Sequence, residues 1–320
     1  MNSTSLMFAS IASLIPFDNS MTVTAHVKDE DGNPASGAIV KIWTDKDRYQ
    51  GLARSPKYSY FESVVDTNGI AVLKFPCHSQ EFQCCAYGEN YYREDGGYVY
   101  VKATLNYATW TVTLIEHSKK IYFTLRKKKN PIPMYVSSTP LEFKLPSQKG
   151  FWGFDLKVHD WIAPYGKGEV ADFSIDYLEE SMTNGLFSCT GAVVFVGLNG
   201  AYVMKKNKSK TFWSVHEADT NAVYVQHFPF YYFPAGDGSR REYRHDTINE
   251  DEYLVLRTRV ETDASGNIKS ANYSKIYGPF LVGRGLRFRE SCFNPTPNDP
   301  NIEFDVNRNL FKKPHGTLLP

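Results

Sequence analysis

The feature that most constrains this chain is a two-residue alternation of apolar and polar side chains, repeatedly broken by short turns built on Asp and Gly. From Met21, Val23, Ala25 and Val27 interleave with Thr22, Thr24 and His26, the pattern of a half-buried strand. Asp29-Glu-Asp-Gly-Asn-Pro34 then concentrates turn-forming residue types, and Ser36 to Thr44 resumes the alternation with Ala38, Val40 and Ile42 on one face. This predicts a hairpin over residues 21–44. A second Gly-based turn, Asp66-Thr-Asn-Gly69, leads into Ile70 to Phe75, and further strand-like runs follow at 98–105, 108–116 and 120–126. Short strands at this density predict a β-sandwich over residues 21–127.

The order D-x-D-G-N-P-x-x-G-A-x-V at Asp29 to Val40, then D-T-N-G-x-A-x-L-x-F at Asp66 to Phe75, resembles the carboxypeptidase-regulatory-like and bacterial Ig-like sandwich domains. The resemblance covers about the first third of the chain. It implies a spacer or interaction module and brings no catalytic residues with it. Asp29, Asp31 and Asn33 also have the alternate oxygen ligands of a calcium loop. The twelfth position is Val40 instead of a bidentate Glu, so a turn is the preferred reading.

Charge and composition exclude several classes. The 36 Lys and Arg residues nearly balance 35 Asp and Glu, which argues against nucleic-acid binding by bulk charge. The 21 Tyr, 21 Phe, 22 Gly and 17 Pro suit strands and tight turns far better than long helices. The apolar runs are shorter than the roughly 18–20 residues of a membrane-spanning helix.

Residues 1–20 form an apolar arm or signal-like segment. Leu6, Met7, Phe8, Ile11, Leu14 and Ile15 are its apolar side chains; no Lys or Arg precedes Lys28, so the basic start of a signal peptide is missing. The alternative is an assembly arm that pairs with a sheet of a neighbouring subunit. The five cysteines are an odd number and too sparse for a disulfide scaffold. Cys77, His78, Cys84 and Cys85 cluster without a zinc-site spacing, so no metal and no cofactor is expected.

The basic run Arg126 to Lys129 and the prolines Pro131 and Pro133 mark a domain boundary, the run itself reading as a solvated strand end. Residues 134–320 are expected to form a larger β-rich domain with little helix and an extended C-terminal tail from Asn294. Leu186 to Gly197 reads as a strand buried on both faces. The runs 253–261 and 268–277, joined by Asp263-Ala-Ser-Gly-Asn267, read as a hairpin with Leu254 and Leu256 on the face opposite Arg257 and Arg259. Ile175, Leu178 and Met182, at i, i+3 and i+7, predict one helix over residues 173–182.

Catalytic motifs are weak. His159-Asp160, His216-Glu217 and His245-Asp246 are sequence neighbours, which in a strand point to opposite faces. No G-x-S-x-G elbow or H-E-x-x-H helix occurs. Asp172, Asp176, Glu179 and Glu180 could supply paired acids only if they shared one cleft. The aromatic cluster His227-Phe-Pro-Phe-Tyr-Tyr-Phe-Pro234 is more suggestive: Phe228, Phe230, Tyr231, Tyr232 and Phe233 form either an interface or a sugar-stacking platform, with the β-core as the bland reading.

The sequence thus predicts an all-β chain, an Ig-like β-sandwich followed by a larger β-rich domain. Its expected role is non-enzymatic, structural or adhesive, in a cell-surface or virion assembly. Self-association or other structural proteins supply the contacts; no nucleic acid and no membrane span are expected. The alternative is a carbohydrate-binding or carbohydrate-cleaving extracellular protein.

Overall fold

The computed structural model describes residues 20–45, 58–77, 79–106, 111–181, 187–205, 216–234, 242–245, 247–249, 252–283, 285–305 and 307–312. The chain is all-β, and none of the described residues lies in a helix. It divides into two compact units, the first ending at Lys128 and the second starting at Lys129.

In the first unit the strands are β1 (Ser20–Asp29), β2 (Ile39–Asp45), β3 (Tyr58–Val64), β4 (Ile70–Pro76), β5 (Glu81–Gly88), β6 (Tyr91–Tyr100), β7 (Ala103–Asn106), β8 (Thr111–Leu114) and β9 (Ser118–Leu125). They form a three-stranded sheet, β4-β1-β9, a four-stranded sheet, β3-β2-β5-β6, and the small pair β7-β8. Strand β1 runs antiparallel to β4 and parallel to β9. Its alternation puts Met21, Val23, Ala25 and Val27 into a core shared with Val40 and Ile42 of β2, Leu73 and Phe75 of β4, and Phe82 of β5. Burying this apolar face is what the period of two in the sequence achieves.

One expectation changes here. Strands β1 and β2 do not pair with each other but belong to different sheets, so the Asp29–Pro34 turn is a corner between layers and not a hairpin. Asp29 Oδ1 accepts from the backbone N–H of Asp31 (3.0 Å) and Asn33 (2.8 Å), which closes the turn within itself. The same arrangement recurs at Asp66, which accepts from Asn68 (2.9 Å) and Ile70 (2.8 Å), and at Asp263, which accepts from Ser265 (2.8 Å) and Asn267 (2.9 Å). In each, the glycine three residues after the Asp is left-handed, at φ +86°, +80° and +84° for Gly32, Gly69 and Gly266. Such a self-contained turn does not dictate whether its flanking strands pair.

The first half of the basic run is engaged with acids, while Lys128 and Lys129 are exposed as expected. Lys127 Nζ lies 2.7 Å from Asp29 and 2.9 Å from Asp31, and buried Arg126 reaches Glu30 at 3.4 Å. These contacts tie the chain just beyond β9 to the first turn. Two of the calcium-like oxygens thereby serve a lysine, and the hydrogen bonds to Asp29 and Asp31 push the Lys127 amine up.

In the second unit the strands are β10 (Tyr135–Lys144), β11 (Lys149–Asp155), β12 (Asp160–Trp161), β13 (Phe173–Ser181), β14 (Phe187–Val194), β15 (Gly200–Lys205), β16 (His227–Pro234), β17 (Glu242–His245), β18 (Glu252–Thr262), β19 (Ile268–Tyr277), β20 (Leu281–Val282) and β21 (Gly285–Phe293). One sheet has the order β10-β21-β19-β18-β15, with β20 beside β21; the other is β12-β11-β13-β14-β16-β17. Between them lies an aromatic core that includes Trp152, Phe154, Phe173, Tyr177, Phe230, Phe280 and Phe288. In that core Phe154 stacks on Phe173 at 5.3 Å and Phe280 on Phe288 at 5.7 Å.

The expected helix over 173–182 is instead β13, paired with β11 and β14 along Phe173 to Ser181; Met182 lies outside the described residues. Ile175 and Tyr177 are buried while Asp176 and Leu178 face outward. Four alternating residues outweigh the i, i+3 coincidence, because Leu178 sits on the solvent side of a sheet. The 253–277 region is the expected hairpin, but Arg259 is not opposite Leu254 and Leu256. A bulge between Thr258 and Glu261, with Arg259 at φ +52°, re-aims this side chain inward.

Arg259 donates from Nε to Asp172 Oδ1 (2.9 Å) and from Nη2 to Asp172 Oδ2 (3.0 Å) and Asp155 Oδ1 (2.7 Å). It also stacks over Phe293 at 4.5 Å. Burial opposes the Asp155 charge, yet backbone donors at Glu169 and Val170 together with Arg259 hold its carboxyl below the usual range. Burial pushes the Asp172 carboxyl up, against the pull of Arg259.

Beyond β21 the chain from Asn294 to Asp305 packs on this unit, with a turn at residues 296–298. Ile302 and Phe304 are fully buried, Phe304 bridges to Ile132, and Cys292 turns its thiol to the Ile302 carbonyl. Glu303 accepts from the backbone N–H of Lys129 (3.0 Å) and Asn130 (2.7 Å) and lies 3.1 Å from His216.

Candidate interaction surfaces

The aromatic cluster of residues 227–234 forms β16, and strand alternation divides it. Phe230 is only 3% exposed and belongs to the core; Phe228 and Tyr232 lean on that core from the same side. Tyr231 and Phe233 face outward, 42% and 38% exposed, with ring centroids 5.7 Å apart. The five rings are therefore two different things, three core side chains and two surface ones.

The two outward rings are part of a wider surface. Register places Tyr231 opposite Thr190 on β14, Thr190 opposite Leu178 on β13, and Asp176 opposite Phe151 on β11. Phe151 and Leu178 are 55% and 38% exposed. The outer face of this six-stranded sheet thus carries Phe151, Leu178, Tyr231 and Phe233 on three strands, with Asp176 and Thr190 among them.

The first unit has a second such face, which sequence reading missed. Across β3-β2-β5-β6, register sets Tyr60 beside Trp43, Trp43 beside Gln83, and Gln83 beside Tyr98. Tyr60 and Tyr98 are 61% and 59% exposed, and Tyr100, two residues further on β6, is 68% exposed. Trp43 is half-buried and donates from Nε1 to Gln83 Oε1 at 2.6 Å. In the next row Lys41 pairs with Glu62 at 2.9 Å, and Arg93 pairs with Asp95 at 2.9 Å. Lys41 stands 5.0 Å from the Tyr60 ring centre and Arg93 5.8 Å from Trp43. The signal in the sequence was the pair Tyr58-Ser-Tyr60 and Tyr98-Val-Tyr100, aromatics two apart that must share a strand face.

The other candidates are not assembled into a site. Asp172 is held by Arg259 on the inner side of its sheet, Asp176 points outward, and Glu179 accepts from the Tyr177 hydroxyl at 3.2 Å, so these acids do not converge. His159 sits among the rings of Phe143, Phe154 and Phe288, its Nε2 3.4 Å from Ser291 Oγ, while Asp160 accepts from the Trp161 and Lys167 backbones. His216 meets Glu303, not its neighbour Glu217. Of the third pair, Asp246 lies outside the described residues, as do Glu250, Asp251 and His78. The arm residues Leu6, Met7, Phe8, Ile11, Leu14 and Ile15 also lie outside them. All five cysteines are buried, and burial pushes the Cys84 thiol up to about 12 and that of Cys292 to about 11. No group of three or more His, Cys, Asp or Glu among the described residues is arranged to hold a metal ion, and no described helix is long and apolar enough to cross a membrane.

The chain matches no family model and no curated protein. Among solved structures it is similar to the full-length major pilin SpaD of Corynebacterium diphtheriae, at 11% identity and a TM-score of 0.25, covering 78% of this chain and 89% of that one. It is similar to BcpA, the major pilin subunit of Bacillus cereus, at 9% identity and a TM-score of 0.23 over 91% and 97%. An intradiol ring-cleavage dioxygenase from Tetranychus urticae aligns at 10% identity and a TM-score of 0.22 over 34% and 81%. Scores of this size carry neither a shared fold nor an activity over to this chain.

Proposed function

We propose that the chain is a non-enzymatic structural or adhesive protein of a cell-surface or virion assembly, acting through protein–protein contacts. The observation that carries this reading is the outer face of the β11-β13-β14-β16 sheet, where Phe151, Leu178, Tyr231 and Phe233 are exposed together. Aromatic and aliphatic side chains in one patch favour a protein partner, since desolvating them is favourable and needs no matching hydrogen bonds. The occupant of this face is a second copy of the chain. The resemblance of residues 21–127 to sandwich modules that act as spacers agrees with such a role, and the apolar arm Leu6 to Ile15 is a second proposed joint.

Native mass spectrometry of the full chain tests this. A discrete oligomer is expected that dissociates in the double variant Tyr231→Glu/Phe233→Glu while the thermal midpoint is kept. Wild-type protein that stays monomeric at high concentration, with or without residues 1–20, overturns the proposal.

A further inference from the structure

The exposed face of the first unit differs in chemistry from the apolar face of the second, and this difference identifies a separate ligand. We propose that the row Tyr60, Trp43, Gln83 and Tyr98 is a binding strip for a neutral, unbranched oligosaccharide. The inference does not depend on self-association, which is assigned to a different sheet.

Four observations support it. First, the rings are accessible and lie in one row across the sheet. Tyr60 and Tyr98 stand on the two edge strands of the sheet, three strand spacings or about 14 Å apart. Trp43 lies between them, so an extended chain of sugar rings laid across the strands meets aromatic surface along its length. The apolar C–H faces of a pyranose stack on such rings, as other ring-bearing ligands do.

Second, hydrogen-bonding groups accompany the rings. Gln83 is in the row itself, Lys41, Glu62 and Asp95 occupy the adjoining row, and Arg93 stands two residues from Asp95 on β6. A hydroxyl-rich ligand needs donors and acceptors beside each stacked ring, whereas a purely apolar partner would leave these groups desolvated without replacement.

Third, the cations on this face are matched by acids, and Glu81, in register with Tyr100, adds a further negative charge. Lys41 faces Glu62 and Arg93 faces Asp95, each at 2.9 Å. A polyanion finds no positive field to draw it in, which favours a neutral ligand over an anionic one. A second protein copy would have to dehydrate both ion pairs, at a cost that their mutual attraction does not reliably recover.

Fourth, the strip is held in shape before any ligand arrives. The Trp43 indole is fixed by its 2.6 Å hydrogen bond to Gln83, and cations stand over the rings of Trp43 and Tyr60. Prior ordering of this kind lowers the entropy lost on binding.

Isothermal titration of the full chain with cellohexaose, xylohexaose, mannohexaose, laminarihexaose and maltohexaose, and with an anionic heparin hexasaccharide as contrast, tests the assignment. At least one neutral hexaose is expected to bind with an affinity that added salt leaves unchanged. Tyr60→Ala and Tyr98→Ala should each weaken it about tenfold or more. Tyr122→Ala, an exposed tyrosine on the other sheet of the same unit, should not. The wild-type thermal midpoint, kept in all three variants, shows that folding is intact. The proposal is overturned if no neutral hexaose binds, if only the heparin fragment binds, or if both strip variants bind with wild-type affinity. A fall in native mass on Tyr60→Ala would likewise overturn it, by giving this face to a second copy, whereas a wild-type chain that binds no glycan but keeps its oligomer would leave only the self-association reading standing.

Discussion

Arg259 on β18 holds both carboxylate oxygens of Asp172, which lies at the start of β13 in the opposing sheet, at 2.9 and 3.0 Å. The same guanidinium reaches Asp155 at 2.7 Å. One cation therefore serves two largely buried acids and joins the two layers of the second unit by hydrogen bonds as well as by apolar packing.

Removing that cation leaves two buried carboxylates with only backbone donors to hold them. Arg259→Ala is expected to destabilise the second unit by about 3–5 kcal/mol, the range for breaking a buried pair by deleting one partner. Urea unfolding monitored by tryptophan fluorescence measures it, since Trp152 and Trp161 lie in the core of this unit. Asp172→Asn keeps the shape and should cost less, about 1–3 kcal/mol.

Glu290 gives a pH signature. Burial raises its carboxyl from 4.5 to about 8, while Lys275 and Arg289 pull it down. A raised carboxyl pKa means that the folded state holds a proton the unfolded chain has already released. Its contribution is fully present below pH 4.5 and is lost as pH rises to about 8. Glu290→Gln should therefore raise the thermal midpoint relative to wild type by an amount that grows across this window and is constant above it. Equal midpoint shifts at pH 4 and pH 9 would contradict the assignment.

The corner turns make a paired prediction. Gly32 and Gly69 have the same left-handed backbone, so alanine at either should cost about 1–2 kcal/mol from φ alone. A Cβ at Gly32 meets nothing within 4 Å, but at Gly69 it would lie 2.7 Å from the Val27 carbonyl oxygen. Gly69→Ala should thus be clearly the more damaging of the two, as differential scanning calorimetry would reveal.

The cysteines should be silent in the native protein. Buried thiols whose pKa is raised, as at Cys84, Cys85 and Cys292, hold almost no thiolate at neutral pH. An Ellman titration is expected to show slow reaction limited by opening of the fold, and five equivalents at once in denaturant. Rapid modification of any one thiol under native conditions would mark an opened site.

What could be read from the sequence was what depends on neighbouring residues. The alternation of β1 and the Asp-x-x-Gly turns are local, and both are found in the structure. Pairing is not local: nothing in Asp29 to Pro34 says that its two flanking strands belong to different sheets. Ile175 and Leu178 suggested a helix because three-residue spacing occurs by chance in a strand whose outer face carries an apolar residue. The bulge at Arg259 turned an expected surface charge inward, and its signal lies in Asp155 and Asp172, roughly a hundred residues earlier. The 227–234 cluster was visible as composition, but only a period of two separates Phe230 from Tyr231. The Tyr60–Trp43–Tyr98 row joins three strands whose order no single segment encodes.

The position of Glu303 sets an order of events during synthesis. Its carboxylate holds the N–H of Lys129 and Asn130, 174 and 173 residues earlier, and β10, the first strand of this unit, pairs with β21, the last. A ribosome that has released residues 1–128 has delivered every strand of the first unit, which can then close. The second unit must wait, its opening strand without a partner, until nearly all of it has been translated, about ten seconds or more at usual rates. Throughout that interval an incomplete apolar sheet is exposed, and any cell that makes this protein has to shield it.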